Sequence, residues 1–429
     1  MKIIFNPGKE SWEDLCKRPA IEKIELENIV RSILNSVKSE KDNAIYRLSA
    51  KYDNVPPGNL KASVNEIREA LGQVTEELKN AIYIAKTNIE NFHSAQSLTE
   101  PVIETSKGVK CWRKSVAIEK VGLYIPGGSA PLFSTVLMLG IPAKLAGCKE
   151  IVICTPPGKD GKVSPLILYT AQLIGIINIF KVGGAQAIAA MAYGTESIPK
   201  VYKIFGPGNQ YVTKAKELVQ QDGIAIDMPA GPSEVLIIAD RTANAEFIAA
   251  DLLSQAEHGT DSQVIMLSNN KSFIETVKKE VEKQLLYLPR REIAIKALEE
   301  SKLILLSSLD ECIGFSNLYA PEHLIINTFN SNNLADKVIN AGSVFLGAYS
   351  CESAGDYASG TNHTLPTNGF AKSFSGVSAD SFLKKIPFQE LTEDGIKNLG
   401  PTIELMAEAE FLNGHKNAVS IRLKSLKNG

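Results

Sequence analysis

The sequence has no cysteines at C-x-x-C spacing, no long basic run, and no apolar stretch near the roughly 18 residues of a membrane span. Each absence excludes something. The six cysteines (Cys16, Cys111, Cys148, Cys154, Cys312 and Cys351) make no thiolate zinc site and no thioredoxin-type pair. Any metal would therefore be held by nitrogen and oxygen ligands, and in a cytoplasmic protein the cysteines stay reduced. A formal net charge of −2 argues against nucleic acid or an anionic membrane as the main partner. The opening M-K-I-I-F has an apolar run of only three residues, too short for a signal-peptide core. The expected location is therefore the cytoplasm. Repeats and low-complexity segments are also missing.

What is present begins with length. A chain of 429 residues, 44% hydrophobic and 22% charged, is long enough for two or more soluble domains. Its first part reads as helices over 21–95: Ile29, Val30, Ile33, Leu34 and Val37 recur at helical spacing, as do Ala81, Ile82, Ala85, Ile89 and Phe92. Residues 102–118 alternate about Ser106-Lys107-Gly108, which predicts a hairpin. From about 121 the rhythm becomes strand–helix. Apolar runs at Ile151–Cys154, Ile176–Val182, Val201–Phe205, Val235–Ala239, Val264–Leu267, Leu303–Leu306 and Val344–Leu346 are mostly separated by helical segments. This implies parallel sheets covered by helices on both faces. The break M-P-A-G-P-S-E (228–234) divides the runs into two sheets. The tail after about 380 reads as a polar helical appendage.

Three glycine-rich loops follow strands or open helices: Y-I-P-G-G-S-A-P-L (124–132), K-V-G-G-A-Q-A (181–187) and I-F-G-P-G-N-Q-Y-V (204–212). Glycine lets backbone N–H groups approach a phosphate, and a helix N-terminus favours its charge. Each loop alone reads first as a tight turn of the fold; three on neighbouring units favour a nucleotide or phosphate site. None is G-x-G-x-x-G with an acid about 20 positions on, so a bound dinucleotide would not use that fingerprint.

Histidine is scarce. Of five, only His93 lies in an ordinary helical setting. His258 (Q-A-E-H-G), His323 (A-P-E-H-L), His363 (S-G-T-N-H-T) and His415 (F-L-N-G-H-K) sit in short polar clusters. Gln255 and His258 are three apart at the end of a helix predicted over 243–257, hence on one face. Asp356 lies in the small-residue loop C-E-S-A-G-D-Y-A-S-G. Gln255, His258, Asp356 and His415 form a set able to hold zinc with open positions, although spacing alone does not bring them together. Glu322 and His323 enter a strand predicted over 322–326. Neighbouring strand residues point to opposite faces, so these two can act together only at a strand end or bend, which Pro321 favours. Such a pair is a candidate general base; the plainer alternative is a solvated loop pair.

Taken together, V-G-L-Y-I-P-G-G-S-A-P-L-F-S-T-V (121–136), F-G-P-G-N-Q-Y-V-T-K-A-K (205–216), I-D-M-P-A-G-P-S-E-V-L-I-I-A-D (226–240), D-L-L-S-Q-A-E-H-G-T-D-S-Q (251–263), L-Y-A-P-E-H-L (318–324) and N-G-H (413–415) resemble the histidinol dehydrogenase family. Six motifs in the family's order carry the resemblance to residue 423. It implies an α/β fold of two Rossmann-like parallel-sheet domains, aldehyde-dehydrogenase-like, with small helical N- and C-terminal appendages. It also implies oxidation of L-histidinol to L-histidine through L-histidinaldehyde, the last step of histidine biosynthesis, with two NAD+ and one Zn2+ per site.

Residue by residue, the resemblance assigns the metal to Gln255, His258, Asp356 and His415, and catalysis to Glu322 and His323. Substrate contacts fall to Ser233, His363 and Glu410 besides His323 and the ligands; NAD+ contacts fall to Tyr124, Gln186 and Asn209. It implies a homodimer whose tail crosses to the partner, and a hydrate rather than a Cys351 thioester as intermediate. The expected division is an N-terminal appendage (1–20), a central domain with the zinc and catalytic site (21–123 and 233–378), an NAD-binding domain (124–232) and a swapped tail (379–429). A zinc amidohydrolase could use the same ligands but would not need the three loops. A non-catalytic two-lobed binding protein would leave Glu322-His323 unexplained.

Overall fold

The computed structural model describes residues 1–18, 23–53, 58–96, 100–127, 131–229 and 231–427. The centre of the first glycine loop (128–130), residue 230 of the 226–240 motif and the expected boundary at 20/21 lie outside them.

Among the described residues the strands run, in chain order, β1 (Lys2–Phe5), β2 (Ile103–Ser106), β3 (Val109–Ala117), β4 (Lys120–Tyr124), β5 (Glu150–Thr155), β6 (Ile179–Lys181) and β7 (Lys203–Phe205). They continue with β8 (Ala225–Ile226), β9 (Glu234–Ala239), β10 (Gln263–Ser268), β11 (Lys302–Leu305), β12 (His323–Asn327), β13 (Ser343–Leu346) and β14 (Leu383–Leu391). Two parallel sheets result, as the strand–helix rhythm predicts. One has the order β6-β5-β4-β7-β8, the other β1-β11-β10-β9-β12-β13. The 228–234 break separates them.

Each parallel sheet is buried on both faces, so its strands are almost uniformly apolar. On one face of the five-stranded sheet lie the helices Lys23–Glu40 and Asp42–Tyr52, through Val30, Ile33, Leu34, Val37, Ile45 and Leu48. On the other lie Val64–Gln73 and Glu76–Ser94, through Ile67, Ile82, Ala85 and Ile89. These helices, which the sequence reading assigns to the central domain, thus pack on the sheet it assigns to NAD binding, and β4 is the middle strand of that sheet. The reason is amphipathicity: the stripe Val30-Ile33-Leu34-Val37 needs an apolar partner, and the five-stranded sheet supplies it. Within the second stripe, Ala81 and Phe92 point outward and His93 takes the buried position.

Two terminal segments differ from expectation. Residues 2–5, expected in an appendage, form the edge strand β1, parallel to β11. The tail begins with a strand rather than a helix: β14 pairs antiparallel with β3 from Leu383–Ala117 to Leu391–Val109, and the β2–β3 hairpin is the predicted one. Alternation explains β14, since Phe388 stacks on Trp112 across the ladder at 5.5 Å. Pro387 is tolerated because β14 is an edge strand. Phe382, fully buried and stacked on Phe205 at 4.0 Å, roots the tail in the five-stranded sheet; burying such a ring is worth on the order of 3 kcal/mol. The helices Glu393–Ala409 and Asn413–Ser425 follow. No helix among the described residues is long and apolar enough to cross a membrane.

Candidate active site

The strand order of the five-stranded sheet reverses between β4 and β7, and the glycine loops open at the carboxyl ends of its strands. Such a crevice is where open α/β sheets hold ligands. Tyr124 ends β4, is buried, and accepts a hydrogen bond from the Gly184 N–H at 3.1 Å; burial pushes its phenol up to about 12. Gly206 has φ +127°, and a Cβ there would lie 2.2 Å from the Tyr124 carbonyl oxygen, so only glycine fits. Its carbonyl accepts from buried Lys216 at 2.9 Å and its N–H donates to Asp227 at 2.8 Å, while Lys216 and Asp227 pair. Asn209 caps the next helix, accepting from the Tyr211 and Val212 N–H groups at 3.0 and 3.1 Å. Gln186 is buried and donates to Asp53 at 3.4 Å.

The second site lies at the opposite kind of edge, the amino ends of β9 and β12. Ala320 leaves its helix with φ +54°, Pro321 follows, and His323 is the first residue of β12. This is the strand-end geometry that lets adjacent residues meet: His323 Nδ1 lies 3.7 Å from Glu322 Oε2. Both hang on one residue of β9. The Glu234 N–H donates to Glu322 Oε2 at 2.8 Å, and the Glu234 carbonyl oxygen is 3.3 Å from His323 Nδ1. His323 Nε2 is buried, has no hydrogen-bond partner among the described residues and lies 3.5 Å from Asp356 Oδ1.

Asp356 is helical, within Glu352–Tyr357, not in a loop as its small neighbours predict. The turn places Glu352 and Asp356 on one face, four apart. Donor atoms of His258, Glu352 and Asp356 all lie within 4.8 Å of one another. Gln255, at the end of the helix Ala245–Ala256, is buried beside them. With its amide turned to satisfy its neighbours, it donates to Glu352 and accepts from the Glu234 N–H at 2.9 Å. Glu352 is the residue that sequence reasoning missed. Its signal was the i,i+4 carboxylate pair in C-E-S-A-G-D, visible only once the segment is read as a helix.

Three carboxylates thus surround one imidazole. Burial pushes Glu322 up to about 8. Burial, with Asp356 and Glu322 nearby, raises Glu352 well above the carboxylate range. Burial disfavours charge on His323 too, but Glu352, Glu322 and Asp356 outweigh it and hold the ring at about 10. For Asp356, burial is outweighed by its contact with His323, and its pKa falls. Desolvation lowers both His258, although part of that ring stays open to solvent, and His363. Neutral imidazole is the metal-binding form.

His363 links the two sheets. Its Nδ1 is 2.9 Å from the Asp356 carbonyl oxygen and its Nε2 3.2 Å from Thr135 Oγ1, on the helix Phe133–Ala146 beside the five-stranded sheet. Ser233 precedes β9, its carbonyl accepting from the Gln263 N–H at 3.2 Å. Glu410 and His415 are elsewhere: both are exposed in the tail, and among the described residues no hydrogen bond or ion pair joins them to the cluster. Cys351 is exposed next to Glu352, while Cys154 is fully buried.

Comparison with known proteins bears on the family. The profile of the histidinol dehydrogenase family matches residues 16–423. A histidinol dehydrogenase of Bacteroides thetaiotaomicron is 60% identical over the whole of both chains. One from Escherichia coli is 52% identical, covering 97% of this chain and 96% of the other. The crystal structure of histidinol dehydrogenase from Elizabethkingia anophelis superposes with a TM-score of 0.97 at 58% identity, covering 100% and 99% of the two chains. With matches of this extent in both sequence and structure, the chain belongs to the histidinol dehydrogenase family.

Proposed function

We propose that this chain oxidises L-histidinol to L-histidine through L-histidinaldehyde in the cytoplasm, passing two hydrides to NAD+ with one zinc ion held at each site. The observation that carries the reading is the cluster of His258, Glu352 and Asp356 beside the Glu322–His323 pair. The donors fit a borderline cation: neutral imidazole nitrogen, carboxylate oxygen, and no thiolate. The buried carboxylate surplus also fits, because a cation would neutralise it. Gln255, His258 and Asp356 would hold the ion, with His415 as fourth ligand. Zinc there would supply positive charge that lowers the proton affinity of His323 and would help to orient the substrate.

The chain's own residues do the rest. His323 Nε2, buried and without a hydrogen-bond partner, takes the alcohol proton as the first hydride leaves. As water adds to the aldehyde, Glu322 takes a proton from it and His323 gives the proton it holds to the aldehyde oxygen, which forms the hydrate and leaves the ring neutral again. His323 then takes the hydrate's proton as the second hydride leaves. Ser233, His363 and Glu410 would orient the substrate. Tyr124, Gln186 and Asn209, at the switch point of the five-stranded sheet, would hold NAD+.

Glu410 and His415 are exposed and outside this cluster among the described residues, so we read the protein as a homodimer whose crossing tails bring them in from another copy. Exposed apolar side chains support this: Leu405, Met406 and Phe411 stand 69%, 61% and 89% exposed on the tail, as a surface awaiting a partner does. The direct test is absorbance at the NADH band with L-histidinol and NAD+. No NADH from the zinc-loaded protein would overturn the reading.

Two further outcomes follow. His258→Ala and Asp356→Ala lower zinc content and activity together while the fold survives; wild-type zinc in both variants, by elemental analysis, would remove them from the ligand set. Cys351→Ser and Cys111→Ser each keep most activity, because no thioester forms. A loss of several orders of magnitude in either, with zinc retained, would favour a covalent thiol route.

A further inference from the structure

We propose that Arg18 and Glu234 are a positioning pair for the reaction: the Arg18 guanidinium fixes the one residue whose main-chain N–H and C=O hold Glu322 and His323. The inference rests on the reading of Glu322 and His323 as the reacting pair. Arg18 donates through Nε to Glu234 Oε1 and through Nη2 to Oε2, both at 2.9 Å, a two-pronged geometry that only arginine offers. It is itself held: Nη2 also donates to the Tyr319 carbonyl oxygen at 2.8 Å, and the guanidinium lies 3.7 Å from the centre of the Tyr319 ring. Glu234 Oε1 accepts a further hydrogen bond from the Asn368 N–H at 2.7 Å. The carboxylate is almost wholly enclosed, with 1% of its side chain exposed.

Position gives this pair its meaning. Glu234 is the first residue of β9, so its N–H and C=O lie at the strand's end, where the cluster gathers. The N–H is shared by Glu322 and Gln255, and the C=O faces His323. The peptide before Glu234 carries that N–H and the peptide after it carries that C=O, so a rotation of this residue at the strand's end would move three site residues together. The side chain points away from them, into Arg18, and stops that rotation. Neither charge touches the reacting atoms; both act through the main chain, as residues behind a catalytic set do.

The test uses the zinc-loaded full-length enzyme with kcat and KM for L-histidinol, zinc content and thermal midpoint measured together. Arg18→Ala is expected to lower kcat by roughly 10- to 100-fold, the scale of a displacement near 1 Å, with KM and zinc content little changed. Guanidinium ion added to Arg18→Ala restores part of kcat, and Arg18→Lys, which keeps one of the two prongs, falls between. Ile238→Ala, a buried cavity further along β9, is the comparison: it lowers the midpoint and leaves kcat. Wild-type kcat in Arg18→Ala would overturn the proposal, as would an equal kcat loss in Ile238→Ala at matched stability. Stranding one charge can prevent folding, so Arg18→Met/Glu234→Gln, which removes both charges, is the second variant. It too is expected to fold with low kcat, and normal kcat there would overturn the proposal. Normal turnover in both Glu322→Gln and His323→Asn would defeat the reading of the reacting pair, and the clamp with it. Normal turnover in Arg18→Ala while those two are impaired defeats the clamp alone.

Discussion

Glu322→Gln still oxidises histidinol to the aldehyde but stalls before histidine, the aldehyde step falling by roughly 100- to 10,000-fold. The reasoning is geometric. Glu322 Oε2 is held by the Glu234 N–H and reaches His323 Nδ1, while the buried Nε2 of the ring is left without a partner. In the proposed reaction one proton acceptor serves both hydride transfers and the other serves only the added water. His323→Asn therefore slows both steps, and Glu322→Gln only the second. The substitution keeps size and shape, and it removes a buried carboxylate that its surroundings already push up to about 8, so the fold should tolerate it. Supplying histidinaldehyde directly to each variant and following NADH separates the steps. Turnover of the aldehyde by Glu322→Gln at the wild-type rate would strip Glu322 of its role.

Much of this arrangement was legible in the sequence, for physical reasons. Parallel strands buried on both faces must be apolar throughout, so the runs at Ile151–Cys154, Val235–Ala239 and Val264–Leu267 marked β5, β9 and β10. The Pro321 bend allowed Glu322 and His323 to meet because side-chain alternation fails only at a strand's end. Illegible features depended on distant partners. β1 is four residues long and becomes a strand by pairing with β11, three hundred positions on. β14 carries mostly exposed side chains and is fixed by its ladder with β3, so composition alone read it as polar tail. The helices read over 21–95 declared their apolar stripes but not which sheet would cover them. Glu352 escaped because a run of small residues reads as loop, and the helix that aligns it with Asp356 is only six residues long. Arg18 and Glu234 are 216 positions apart, and no local pattern announces such a pair.

Mixing two inactive proteins restores activity if the tail crosses between subunits. In the single chain His258, Asp356 and Gln255 gather at the amino edge of the six-stranded sheet, whereas His415 sits exposed in the helix Asn413–Ser425. Completing the ligand set from a second copy makes each site a composite of two chains, and on a two-fold dimer both sites are equivalent. His258→Ala alone and His415→Ala alone are then inactive, each spoiling both sites of its own dimer. In a mixed dimer one site carries both defects and the other carries neither. Half the dimers are mixed at exchange equilibrium and each holds one intact site of two, so the mixture regains roughly a quarter of wild-type activity. Zinc content should rise with it, giving a readout that does not pass through turnover. Glu410→Gln mixed with His258→Ala should regain activity in the same way but with no rise in zinc, since Glu410 lies on the same tail and is not a ligand. Mass spectrometry verifies the exchange. Activity and zinc that stay at their starting levels after verified exchange would place His415 at the site of its own chain, and the crossing tail would be refuted.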